Sequence, residues 1–142
     1  MKLSRLAFVL SLLLLNSCSK KTVDGIDFTI KDLEGKTVSL SQYRGKTVLL
    51  NIWATWCAPC KREIPDLKQI YADQKDHDVV VLGVLLASES AEKSKPFVQQ
   101  LGIDYPVWYG DDTFEQMFNI NAFPTTIIID KNGKAVKSGV GA

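Results

Sequence analysis

Two cysteines with two residues between them, in Trp56-Cys57-Ala58-Pro59-Cys60, are the part of this chain best suited to chemistry. That spacing lets the two sulfurs close one small, reversible disulfide. An apolar, strand-like run, Thr47-Val48-Leu49-Leu50-Asn51-Ile52, leads into the pentad, and a helix-like stretch from Lys61 to Lys75 follows it. The pair therefore falls at a strand-to-helix turn. Unpaired N–H groups of a first helical turn, with the positive end of the helix dipole, favour a thiolate over a thiol. The thiolate is the attacking species, so this position selects for reactivity. Pro59 falls in the first turn, where its missing N–H costs nothing and changes the donors available to the sulfur. Lys61 and Arg62 add positive charge on a helix face where solvent and salt screen it.

Other chemistries fit less well. A structural zinc site wants four ligands, and beyond the pair the sequence offers one histidine, His77, and one distant cysteine, Cys18. No metal and no cofactor are expected. The 142 residues, 46% hydrophobic, suffice for one domain with a sizeable core. A formal net charge of +1 gives no reason to expect a nucleic-acid partner.

Residues 1–18 read as an address. Lys2 and Arg5 precede an apolar run, Leu6 to Leu15, broken only by Ser11. The run is shorter than the roughly 20 residues a spanning helix needs, but it suits a secretory signal. Its end, Leu15-Asn16-Ser17-Cys18, resembles the lipobox of bacterial lipoproteins. That resemblance implies acylation of Cys18, a lipid anchor holding the protein on the outer side of a bacterial membrane, and a periplasmic location. The rival reading is an ordinary cleaved signal with a leftover thiol. Residues 19–25 then form a polar tether, and residues 26–142 the domain.

Within the domain, Phe28 to Ile30 and Thr37 to Leu40 read as strands around the turn-like Asp32-Leu33-Glu34-Gly35. Ser41 to Gly45 suits a single helical turn. In the helix after the cysteines, Ile64, Leu67, Ile70 and Tyr71 recur at helical spacing, and Pro65 should kink it. Val79 to Leu86 is continuous, β-branched and uncharged, as in a strand buried on both faces of a parallel sheet. Ser88 to Leu101 looks helical, with Phe97, Val98 and Leu101 inward and Gly102 past its end. Tyr105 to Tyr109 suits a short edge segment, and Asp112 to Phe118 a short helix presenting Phe114, Met117 and Phe118. Thr125 to Ile129 and Ala135 to Val140 flank Asn132-Gly133, a strong hairpin pattern.

Residues 26–140 resemble the thioredoxin fold, more narrowly the TlpA/ResA-like branch of exported, membrane-anchored thiol-disulfide oxidoreductases. The matching motifs are Gly45-Lys46 ahead of a strand, Trp53-Ala54-Thr55-Trp56-Cys57-Ala58-Pro59-Cys60, Glu63-Ile64-Pro65, and Phe123-Pro124-Thr125-Thr126 before Ile127-Ile128-Ile129-Asp130. The fold class implied is α/β: a central mixed sheet flanked by helices, extended by an N-terminal β-hairpin. The family ends with a helix after the terminal hairpin, and this sequence stops at Ala142, where that helix would begin. A sheet face left uncovered, exposing Ile127 and Ile129, and reduced stability are the corresponding expectations.

The resemblance assigns roles. Cys57, nearest the helix start and the more exposed, attacks a protein disulfide, and Cys60 resolves the mixed disulfide. Pro124 is implied to follow a cis peptide bond beside the sulfurs. The backbone at Phe123 would pair with an extended substrate segment like an added strand. Glu63, three residues past Cys60, is implied to accept or tune a proton. Asn51 stands where ordinary thioredoxin has a buried aspartate and cannot take that role. Trp56 either shields the disulfide and meets substrate or simply packs, while Trp53 packs against the sheet; Ala58 and Pro59 complete the active-site turn. The implied partners are disulfide-bearing exported proteins, with cytochrome c apoproteins favoured, and a membrane electron donor. Export places the pair in an oxidising compartment, so a reductase there needs electrons delivered.

Two rivals share this fold. Peroxiredoxins carry Pro-X-X-X-Thr-X-X-Cys around the peroxidatic cysteine; the corresponding positions here are Leu50 and Ala54. An exported Cu(I) chaperone would suit two soft thiolates, but copper-handling relatives have a wider cysteine spacing and a distant histidine, both lacking in this sequence.

Overall fold

The computed structural model describes residues 25–74 and 77–141. The signal-like segment, Cys18 and nearly all of the tether therefore lie outside the described residues. In chain order the elements are β1 (Thr29–Asp32), β2 (Thr37–Ser39), a 3-10 turn (Leu40–Tyr43), β3 (Thr47–Trp53), α1 (Ala58–Gln74) and β4 (Val79–Leu85). There follow α2 (Ala91–Gln100), β5 (Val107–Tyr109), α3 (Asp112–Phe118), β6 (Thr125–Ile129) and β7 (Ala135–Val140). The strands form one mixed sheet in the order β2-β1-β5-β4-β3-β6-β7. β3, β4 and β5 run parallel, and the remaining pairings are antiparallel. This is the expected α/β architecture, N-terminal hairpin included.

The period-two alternation of β3 sorts its side chains between two cores. Val48, Leu50 and Ile52 face a cluster with Phe28, Leu82, Val84, Trp108 and Phe114. Trp53 faces the other, with Cys57, Cys60, Ile64, Leu67, Val81, Leu85 and Val98. Helices α1 and α2 thus cover one face of the sheet, and α3 with the N-terminal segment covers the other. β4 is buried along nearly its whole length, as its uncharged composition requires.

Four expectations need correction. The Tyr105–Tyr109 segment is not an edge: β5 lies between β4 and β1, because the N-terminal hairpin docks beyond it. Ile127 and Ile129 are not exposed; at 5% and 1% they are core residues, since alternation along β6 turns them toward Phe28 and Leu40. It is Thr126 and Ile128 that lie on the opposite face, lining a shallow groove with Lys137, Gly139, Val140 and Gly141. Ile70 on α1 and Met117 on α3 are solvent-exposed, so the inward stripe of α1 is Cys60, Ile64, Leu67 and Tyr71.

Candidate active site

The strand-to-helix turn after β3 carries the site. Cys57 and Cys60 are joined by a disulfide, with Cα atoms 5.4 Å apart. The Cys57 carbonyl accepts the N–H of Lys61, which makes Cys57 the N-cap of α1. Its sulfur accepts the Cys60 N–H at 3.2 Å, the bond that a serine or aspartate makes in an ordinary N-cap. Pro59 occupies the second helical position between them and offers no N–H, so the donors around the sulfur are few. Both cysteines are largely buried, Cys57 at 4% and Cys60 at 1%, so the first is the more exposed only narrowly.

The rim of the site is aromatic. Trp56 is 64% exposed and meets the Phe123 ring edge-on, with centroids 5.6 Å apart. The Phe123–Pro124 peptide bond is cis, as the resemblance implies. Pro124 is fully buried at the start of β6, the neighbour of β3 in the sheet.

A polar pair links β3 to α1, the two elements that flank the cysteines. Asn51, 1% exposed, donates from Nδ2 to Glu63 Oε1 at 2.5 Å and to Thr126 Oγ1 at 3.1 Å. Burial pushes the Glu63 carboxyl above the usual carboxylate range; the Asn51 bond opposes this, and neighbouring Asp66 adds to it. Asn51 thus takes the place beside the acid as a donor. Lys61 is turned toward Phe97 of α2, its ammonium 5.6 Å from that ring's centroid.

The structure therefore gathers Trp56, Cys57, Ala58, Pro59, Cys60, Glu63, Phe123 and Pro124 in one region, and Cys18 is outside the described residues. It also adds residues the sequence reading passed over. The Trp56 indole N–H donates to the Ala87 carbonyl at 2.7 Å, and the Thr55 N–H donates to Ser88 Oγ at 3.0 Å. Ser88 in turn donates to the Leu86 carbonyl, and the Tyr109 hydroxyl donates to the Ser88 carbonyl. This loop after β4 holds the redox turn from behind, with Ala87 at a φ of 48°. The parallel pairing of β3 and β4 was the available clue, because it puts the loops leaving both strands side by side.

The family model described as "AhpC/TSA family" matches residues 23–138. The chain belongs to the AhpC/TSA family. It is similar to the thiol-disulfide oxidoreductase ResA of Geobacillus thermodenitrificans, 38% identical over 78% of this chain and 64% of the relative. The chain thus spans a little under two-thirds of that relative's length. Among solved structures it is similar to a thiol:disulfide interchange protein DsbE from Chlorobium tepidum, with TM-score 0.75, 29% identity and 82% of each chain covered. It is also similar to the exposed lipoprotein thioredoxin Etrx1 of Streptococcus pneumoniae, with TM-score 0.73 and 32% identity over 82% of this chain and 90% of that one.

Proposed function

We propose that this chain is a thiol-disulfide oxidoreductase that reduces disulfides of exported proteins. The observation that carries the reading is the Cys57 sulfur, disulfide-bonded to Cys60 and accepting an N–H at the first turn of α1. An N-cap that accepts an N–H favours the charged form of its side chain, here the reduced Cys57 as thiolate.

In the reduced enzyme the Cys57 thiolate attacks one sulfur of a substrate disulfide. A Cys57–substrate disulfide forms, and the first substrate thiolate leaves and takes up a proton. Cys60 gives its proton to Glu63, whose carboxyl holds protons more readily than usual because of its burial. The Cys60 thiolate then attacks Cys57 Sγ, the mixed disulfide breaks, and the second substrate thiolate departs. Two electrons have passed from the dithiol to the substrate, leaving the Cys57–Cys60 disulfide. Trp56 and the backbone at Phe123 form the rim on which an extended substrate segment docks.

A new cycle needs a dithiol donor, which we assign to a membrane protein. Cys18 would carry the lipid that keeps the domain beside that donor, as the basic and apolar residues before it suggest. Similarity to a protein described as an exposed lipoprotein thioredoxin supports that placement. Apocytochrome c, whose haem-attaching thiols must be reduced, fits as a substrate.

The test is insulin reduction with dithiothreitol as electron source. The unmodified protein should accelerate it, and Cys57→Ser and Cys60→Ser should abolish the acceleration. Full activity in Cys57→Ser would refute the assignment.

A further inference from the structure

Tyr105 lies in the segment just before β5, is 3% exposed, and its hydroxyl has no hydrogen-bond partner among the described residues. A buried hydroxyl left unpaired gives up its hydration and gains no bond in exchange. Phenylalanine would fill the same space without that cost, so the oxygen calls for a reason.

Its surroundings supply one. The ring lies over Gly83: a Cβ there would sit 3.1 Å from Tyr105 Cε2 and 3.2 Å from Trp53 Nε1. Gly83 is the residue paired with Asn51 across the β3–β4 ladder, and Asn51 holds Glu63. The same ring meets Tyr71 of α1 edge-on at 6.2 Å. The phenol is therefore bracketed by the helix that bears Glu63 and the strand pair that bears Asn51, within the cluster that contains both cysteines.

We infer that Tyr105 is a positioning residue for Glu63: its buried O–H, unbonded as the structure stands, turns to the carboxylate as a second donor when that group is charged. This inference rests on the oxidoreductase reading and deepens it. The sign of the effect follows from the charges that face the pair. Burial, then the Glu63 carboxylate, then Asp104 hold the phenol protonated, so it is a donor throughout the working range. Asp66 pushes the Glu63 proton affinity up and Asn51 pulls it down. A phenol donor adds to the Asn51 side. It helps the carboxylate pass the Cys60 proton on to solvent and return to its accepting form.

The variant is Tyr105→Phe, and the readout is the titration of the Glu63 carboxyl carbon by NMR in the oxidised, full-length protein. Loss of one donor should raise the Glu63 midpoint by about half a pH unit. The acid limb of insulin reduction should move up with it, with no loss of thermal stability at a pH below the Glu63 midpoint, where the carboxyl is protonated with or without the donor. In a Glu63→Gln background the limb should not respond to Tyr105→Phe. Replacing Tyr105 by 3,5-difluorotyrosine, a stronger donor of similar size, should lower the midpoint instead, and it serves if the phenylalanine variant folds poorly. Unchanged midpoints in both variants, or a limb shift that persists in Glu63→Gln, would overturn the inference. A Glu63 shift in a protein that reduces no insulin would leave the positioning role standing and defeat the oxidoreductase reading.

Discussion

Asn51→Ala separates the electrostatic work of the buried amide from its packing. The amide donates to Glu63 Oε1 and to Thr126 Oγ1 from a site that is 1% exposed. Truncation loses the Thr126 bond and opens a small cavity, and both costs are independent of pH. The Glu63 cost depends on pH. A hydrogen bond to a charged group contributes roughly 1.5–3 kcal/mol; partial solvent access to the carboxylate cuts this to about 1–2 kcal/mol. Burial raises the folded-state pKa of Glu63 above its unfolded value, so the folded protein binds the extra proton. Stability from this group is therefore full below the unfolded value and is lost as pH rises through the folded one. Removing the donor raises the folded value further, so the variant should lose more on going from acid to neutral. Urea unfolding at pH 4 and pH 7.5 reads this directly. The penalty should be larger at pH 7.5 by about 1–2 kcal/mol, a midpoint difference near 0.5–1 M urea. An equal penalty at both pH values would show that the amide–carboxylate bond does not bias the proton on Glu63.

Two further changes test the frame of the site. Gly83→Ala puts a methyl group against Tyr105, Trp53 and Val107 at 3.1–3.5 Å; overpacking of this kind costs about 1–3 kcal/mol, which calorimetry should register as a Tm several degrees lower. Trp56→Ala removes an exposed ring, its bond to Ala87 and its edge contact with Phe123. The aromatic pair itself contributes only about 0.5–1.5 kcal/mol. Stability should change little, while insulin reduction falls and the reaction with a small aromatic disulfide reagent persists. Parallel losses with both substrates would remove Trp56 from substrate docking.

The sequence was most legible where local chemistry is specific. The strand into the cysteines, the helix after them and the Asn-Gly hairpin each rest on a few adjacent residues, while the cis proline follows from the family resemblance. The place of β5 depends on β1, nearly 80 residues earlier in the chain, and nothing in Val107-Trp108-Tyr109 announces that partner. For Ile127 and Ile129, alternation says that they share a face, but only the assembled sheet says which layer covers it. Ile70 and Met117 follow helical spacing yet fall just outside stripes whose width the neighbours set. Ser88 and Ala87 lie in a loop with no motif of its own. Their role follows from the adjacency of two parallel strands.

The central claim concerns which sulfur reacts first. Reduced protein at neutral pH, mixed with a disulfide-bonded peptide in the Cys60→Ser background, should accumulate a mixed disulfide that mass spectrometry locates on Cys57. Absence of that adduct, or efficient trapping through Cys60 in Cys57→Ser instead, would contradict the account.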